Sequence, residues 1–297
     1  MSGLVVSGAY TALVTPFNAE GSAIDWAAYE KLLSQQLQGR ISGLVPCGTT
    51  GEAPTLSDSE QRELVTRTVR AASGRAQVVV GTGSNSTKKT IETSRAAFEA
   101  GADAVMLVMP YYNKPSQEGL LLHVKLVAEA VSGPIILYNI PGRTAVDLSV
   151  ETLLRILDAC PNVIGLKDAS GSVIYCQDLL RRAGDRIAVL SGDDPLTLPM
   201  MSVGAKGVIS VTSNVYPRAV ADSVSDTLSG LWEQARRAQL RLFAVHRAMF
   251  SEPSPAPVKA ALSLKGMMSD AVRPPLTSAS AGCRENLAAV MAAFEAT

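Results

Sequence analysis

Eight short apolar, β-branched runs, longer amphipathic stretches between them and a purely helical pattern after about residue 219 predict one fold class. It is α/β, a (β/α)8 barrel of the TIM type with a C-terminal helical extension. The runs occupy residues 9–14, 43–47, 77–81, 104–109, 135–138, 163–167, 187–190 and 207–211. Their starts lie about 20 to 35 residues apart, the size of one β-α unit. Runs that are apolar almost throughout fit a parallel sheet covered on both faces, whereas a half-solvated antiparallel sheet would alternate. A doubly wound open sheet, the main rival, usually opens on a glycine-rich strand-to-helix turn. The first run here leads instead into Thr15-Pro16-Phe17.

The intervening helices announce their ends. Ser57-Asp58-Ser59-Glu60 has the spacing of a capping box, and Leu64, Val65, Thr68 and Val69 then recur at helical intervals. A helix over residues 87–100 stops at Gly101, and one over 116–131 stops before Gly133-Pro134. Past the eighth run, residues 219–250 read as one or two helices, 251–257 as a proline-rich bend, and the stretches around 260–268 and 284–296 as two further helices. Residues 1–218 are thus expected to form the barrel that carries the active site, and 219–297 a helical C-terminal region packed on it.

Composition narrows the chemistry. The 297 residues are 47% hydrophobic and 18% charged, with 27 basic against 27 acidic side chains. That balance removes the basic footprint a nucleic acid or an anionic membrane would need. Two histidines, His123 and His246, are too few for a His-rich zinc site or a two-His iron site. Cys47, Cys160, Cys176 and Cys283 lie far apart with no C-x-x-C pair, as expected of reduced, buried thiols. No apolar stretch approaches the roughly 20 residues of a membrane span. The opening MSGLVVSGAY has no charged n-region or cleavage site, so a cytoplasmic location is expected.

In a parallel barrel the active site lies at the C-terminal ends of the strands, which makes the residues closing each run candidates by position. These ends supply Thr15, Thr49, Thr50, Glu52, Asn85, Tyr111, Tyr112, Tyr138, Asn139, Arg143, Lys167, Asp168, Asp193, Asp194, Ser210 and Thr212. Lys167 ends the apolar run Val163-Ile164-Gly165-Leu166, where burial disfavours its charged form. A free lysine has a pKa of about 10.4, so a depression of about three units, roughly 4 kcal/mol, is needed for it to attack a carbonyl at pH 7. Lys167 is therefore either a Schiff-base nucleophile or a lysine snorkelling out to pair with Asp168 or Asp193. The loop Gly48-Thr49-Thr50-Gly51 offers amide and hydroxyl donors to an anion, or is simply a tight turn; it lacks the lysine of a P-loop. In Tyr138-Asn139-Ile140-Pro141-Gly142-Arg143 a phenol suited to proton relay stands near a guanidinium suited to gripping a carboxylate, or both merely pack on the rim. Two aromatics in Pro110-Tyr111-Tyr112-Asn113-Lys114-Pro115 equally suit an interface.

Taken together these segments resemble the dihydrodipicolinate synthase and N-acetylneuraminate lyase family of pyruvate-dependent class I aldolases. Gly165-Leu166-Lys167-Asp168-Ala169, Ser191-Gly192-Asp193-Asp194 and the segment from Gly207 to Asn214 complete the match, which spans nearly the whole chain. Thr49-Thr50, the Tyr-Tyr-Asn-Lys-Pro segment, Arg143 and the run from Glu252 to Lys259 look like the synthase branch. The resemblance implies a lyase that condenses pyruvate with L-aspartate 4-semialdehyde in lysine (diaminopimelate) biosynthesis, with neither metal nor organic cofactor. It makes Lys167 the imine-forming nucleophile, Tyr138 the proton donor and acceptor, and Thr49 and Tyr112 the rest of the relay. Thr50 and the backbone of Ile209 would hold the pyruvate carboxylate, and Arg143 would receive that of the semialdehyde. It also implies a homotetramer, a dimer of dimers in which Tyr112 crosses into the neighbour's site. A hydroxyl relay suits a chain so poor in histidine, because a free tyrosine, with a pKa of about 10, is a poor base at pH 7.

Other members of the same family take other aldehydes or dehydrate 2-oxoacids, and a silent paralogue would act as a binding protein; the intact Lys167, Tyr138, Thr49 and Arg143 set speaks against silence. One departure concerns regulation. Where feedback-inhibited members use a Glu and histidines beside an Asn and a Tyr, this chain has Lys89, Asp58 and Gln61 beside Asn85 and Tyr111. A cation at Lys89 repels the ammonium groups of lysine, so weak or absent lysine inhibition is expected.

Overall fold

Each apolar run pairs in parallel with the next, and the last returns to the first. The computed structural model describes residues 4–296. The barrel units in chain order are β1 (Gly8–Ala12), α1 (Trp26–Gln38), β2 (Gly43–Val45), α2 (Asp58–Ala72), β3 (Gln77–Gly81), α3 (Thr87–Glu99), β4 (Ala104–Val108), α4 (Gln117–Ala130) and β5 (Ile135–Asn139). They continue with α5 (Pro141–Thr144), α6 (Val150–Ala159), β6 (Val163–Asp168), α7 (Val173–Ala183), β7 (Ala188–Ser191), α8 (Thr197–Ser202) and β8 (Gly207–Ser210). Four helices follow: α9 (Pro217–Leu228), α10 (Trp232–Ala248), α11 (Ala256–Leu264) and α12 (Ala281–Glu295). The strands form a closed barrel in the order β1 to β8, the (β/α)8 fold with C-terminal helices.

Local sequence explains the units. Asp25, Ser57, Ser86, Ser116, Ser149, Ser172 and Ser280 each accept a first-turn amide with their side chain, at the starts of α1, α2, α3, α4, α6, α7 and α12. Such a cap is worth about 1 kcal/mol. At α2 the capping box is complete, with the Ser57 amide donating to Glu60 at 2.9 Å. Two apolar layers result. Leu44, Val78, Leu107, Leu137 and Leu166 face the helices, while Tyr10, Val45, Val79, Met106, Ile136 and Ile209 fill the barrel.

The seam between β8 and β1 requires glycine. A Cβ on Gly207, whose φ is +146°, would lie 1.9 Å from the carbonyl oxygen of Gly8. Gly8 itself, at φ +102°, leaves no room beside the Ser42 hydroxyl.

Strand ends differ from expectation by a residue or two, because the chain leaves the ladder to build the mouth. The second run ends at Val45 and not Cys47, since Cys47 turns into the left-handed region at φ 56°. The stretch 219–250 is two helices, and the first begins at Pro217, so the division expected at 218/219 falls in the first turn of α9. That helix packs on β1, α1 and α8 and completes the eighth unit. Helix α11 starts earlier than expected, at Ala256, because a proline is tolerated in a first turn. Helix α12 starts at Ala281 on its Ser280 cap.

Candidate active site

Register places the first two groups. Tyr138 on β5 and Lys167 on β6 are partners across the ladder, so their side chains rise side by side toward the barrel axis. Lys167 Nζ lies 4.1 Å from the centroid of the Tyr138 ring. Both residues are 4% exposed. Gly192, after β7, makes the room: a Cβ there would come within 3.2 Å of Lys167 Cε. Lys167 does not snorkel to the rim, and among the described residues it forms no ion pair with Asp168 or Asp193.

Electrostatics follow from that burial. Desolvation pushes the Lys167 amine down to about 8; the Asp194 carboxylate opposes the shift and the Arg143 guanidinium adds to it. A usable fraction of the amine is therefore neutral near pH 7 to 8. Burial pushes the Tyr138 phenol up to about 12, against the nearby charge of Arg143 and a hydrogen bond with the Thr49 side chain. Tyr138 thus stays protonated at neutral pH, able to pass a proton through Thr49 but not to persist as phenolate.

The β2 loop brings Thr49, half-buried, and Thr50, buried, over this pair. Thr15 Oγ1 ties the loop down by donating to the Gly51 carbonyl at 2.7 Å. Arg143 sits exposed in the short helix α5, with Nη2 3.5 Å from the Ser254 carbonyl oxygen. It borders both a cavity of about 400 Å3 shared with Thr49, Tyr111 and Tyr138 and a wider groove shared with Gly192 and Asp193.

Ile209 is buried on β8 opposite Tyr10. The backbone just beyond it is clamped by Asp194. That carboxylate accepts from Ser210 Oγ at 2.5 Å, the Val211 amide at 2.9 Å and the Thr212 amide at 3.2 Å. His246 Nδ1 lies 2.9 Å from Thr212 Oγ1, backing the same turn from α10. Sequence reasoning flagged Asp194 and Thr212 only by position and gave His246 no part, because the contact joins residues 34 positions apart. Tyr112 stands apart from the others. It is 88% exposed at a left-handed φ of 72°, on a loop held by Asn113 Nδ2 donating to the Asn85 carbonyl at 2.9 Å.

A second buried lysine was also missed. Lys259 on α11 pairs with Glu52 at 2.7 Å, and both side chains are essentially inaccessible. A lone lysine in the apolar stretch 256–262 was the available signal. Lys89 is held by Asp58 at 2.8 Å on the wall of the 400 Å3 cavity. Among the described residues no three His, Cys, Asp or Glu side chains converge as a metal-ligand set. The arrangement suits attack of a neutral amine on a carbonyl, proton transfer between hydroxyls and capture of a carboxylate by Arg143.

The family model described as the Dihydrodipicolinate synthetase family matches residues 5–294. A 4-hydroxy-tetrahydrodipicolinate synthase from Sorangium cellulosum is 57% identical over 296 residues, which is 100% of this chain and 98% of that protein. The solved structure of the 4-hydroxy-tetrahydrodipicolinate synthase of Methylacidiphilum fumariolicum SolV has a TM-score of 0.96 at 42% identity, covering 98% of this chain and 97% of that one. A chloride-inhibited dihydrodipicolinate synthase from Acinetobacter baumannii, complexed with pyruvate, has a TM-score of 0.96 at 40% identity, covering 98% and 99%.

Proposed function

We infer that this chain, which belongs to the dihydrodipicolinate synthetase family, catalyses the 4-hydroxy-tetrahydrodipicolinate synthase reaction, condensing pyruvate with L-aspartate 4-semialdehyde in lysine biosynthesis. The observation that carries this reading is the buried amine of Lys167 beside the Tyr138 ring, in a chain so similar to such synthases. The neutral amine adds to the pyruvate ketone, and the carbinolamine loses water to give an imine. Loss of that water takes a proton from the Tyr138–Thr49 hydroxyl pair. The imine withdraws electrons, so the oxygen just freed accepts a methyl proton and the resulting enamine attacks the aldehyde carbon. The aldehyde oxygen takes its proton back from the same pair. The semialdehyde's own amine then displaces Lys167 from the imine carbon and closes the ring.

In this reading Thr50 and the Ile209 backbone hold the pyruvate carboxylate, and Arg143 receives that of the semialdehyde. No metal or organic cofactor enters any step. The 88% exposure of Tyr112 supports its completing the relay of a neighbouring subunit, in a tetramer built from two dimers. A cytoplasmic site of action accords with substrates drawn from central metabolism; no helix among the described residues is long and apolar enough to cross a membrane. The barrel, with α9 as its eighth helix, would carry the chemistry, and α10 to α12 would be its helical support.

Turnover with pyruvate and L-aspartate 4-semialdehyde, set against a panel of other aldehydes, tests the reading. The semialdehyde should be preferred by at least about tenfold in kcat/KM, as expected for a site built to receive its carboxylate. Equal or better turnover of an uncharged aldehyde would assign another aldolase of the family. The Lys89–Asp58 pair occupies the wall where an effector ammonium would bind. Titration with lysine should accordingly leave the rate unchanged at micromolar concentrations, and a micromolar inhibition constant contradicts this.

A further inference from the structure

We propose that the buried Glu52–Lys259 pair is a positioning device through which the C-terminal helical region sets the geometry of the Thr49 loop. The inference rests on the reading of Thr49 and Tyr138 as a proton relay. Glu52 closes the turn that carries both threonines, its amide donating to the Thr49 carbonyl at 3.1 Å. It does so in a left-handed conformation, φ 56° and ψ 36°, which a non-glycine residue keeps only where its surroundings over-determine it. Both carboxylate oxygens supply that constraint, and both partners lie in the C-terminal region. Oε1 accepts from Lys259 Nζ at 2.7 Å, and Oε2 accepts from the Arg273 amide at 2.9 Å.

The surroundings leave neither partner an alternative. Lys259 is 0% exposed, and its Nζ lies 4.1 Å from the centroid of the Phe17 ring. The Arg273 guanidinium lies 4.4 Å from the same centroid and grips Glu60, with Nη2 2.6 Å from Oε1 and Nη1 2.9 Å from Oε2. Glu60 belongs to α2, the helix that follows the loop, so the anchor spans the segment from Glu52 to Glu60. A buried ion pair is poor evidence of stability, since apolar side chains of similar volume usually serve the core as well or better. What an apolar pair cannot supply is a directional hold on a carboxylate at one backbone position. The turn so held is the one that presents Thr49 to Tyr138.

The test uses Glu52→Gln, Lys259→Met and their combination in the full chain. Three readouts apply to each: thermal midpoint, borohydride trapping of the pyruvate imine, and loss of deuterium from methyl-deuterated pyruvate to water by NMR. The exchange needs Lys167 and the relay but no aldehyde. Lys259→Met alone strands a buried carboxylate and should lower the midpoint by several degrees. The double variant removes both charges and should recover the midpoint. It should still trap pyruvate, with KM for pyruvate changed less than about threefold, while exchange and kcat fall at least about tenfold, the cost of a loosened catalytic group. Glu52→Asp, which keeps the charge but shortens the reach, should fold and show the same slow exchange. Wild-type exchange in any folded member of this set overturns the positioning role. A wild-type protein that traps pyruvate but exchanges nothing overturns the relay reading on which the proposal stands.

Discussion

A lysine can attack a carbonyl only after losing a proton, and the environment of Lys167 sets the pH at which that happens. Burial brings the amine down to about 8, so the neutral form grows as pH rises through that value and saturates above it. The rate of imine formation with pyruvate should follow, climbing about tenfold per pH unit below the inflection and levelling beyond it. Arg143 is one cause of the depression, so Arg143→Met should move the inflection to higher pH, read by pyruvate trapping without the aldehyde. An inflection unmoved or moved to lower pH contradicts that electrostatic role. Lys167 was legible in the sequence because a charged residue closing an apolar run is conspicuous. Tyr138 was legible as a phenol closing the fifth run, whereas its place beside Lys167 follows only from the β5–β6 register. Lys259 escaped notice because its counter-charge lies 207 positions away.

At the level of elements, the strands were legible because burial on both faces writes β-strands as unbroken apolar runs. Helix α2 announced itself by its capping box, whereas the Ser280 cap of α12 passed unread and its start was expected near residue 284. What the pattern concealed was where strands yield to mouth loops, as at Cys47, and that Pro217 starts a helix instead of breaking one. Barrel closure makes a separate demand that composition cannot show. Gly207 combines φ +146° with a backbone approach that leaves a Cβ 1.9 Å from the Gly8 oxygen. Gly207→Ala should therefore cost at least about 3 kcal/mol by denaturant midpoint. Gly230, at φ +75° with nothing within 4 Å of its Cβ position, supplies the control. Gly230→Ala should cost about 1 to 2 kcal/mol, the left-handed penalty alone. Equal losses at the two sites would show that the seam is not closed by backbone contact.

For the whole molecule, one chain brings Lys167, Tyr138 and Thr49 together but leaves Tyr112 in solvent. If Tyr112 serves a neighbour, two inactive variants should repair each other. In a mixed dimer of Lys167→Ala and Tyr112→Phe subunits, one site keeps its own lysine and receives an intact tyrosine. Random mixing makes half of the dimers mixed, so activity should return to roughly a quarter of wild type, and no recovery contradicts the crossing. The C-terminal region belongs to the same picture, since α11 reaches back through Lys259 to the loop over the barrel. All of this turns on one covalent bond. Intact-mass spectrometry after pyruvate and borohydride should show a single reduced pyruvate adduct, located by peptide mapping on Lys167 and absent from Lys167→Ala. An adduct that persists in Lys167→Ala, or no adduct on the wild-type chain, contradicts the account.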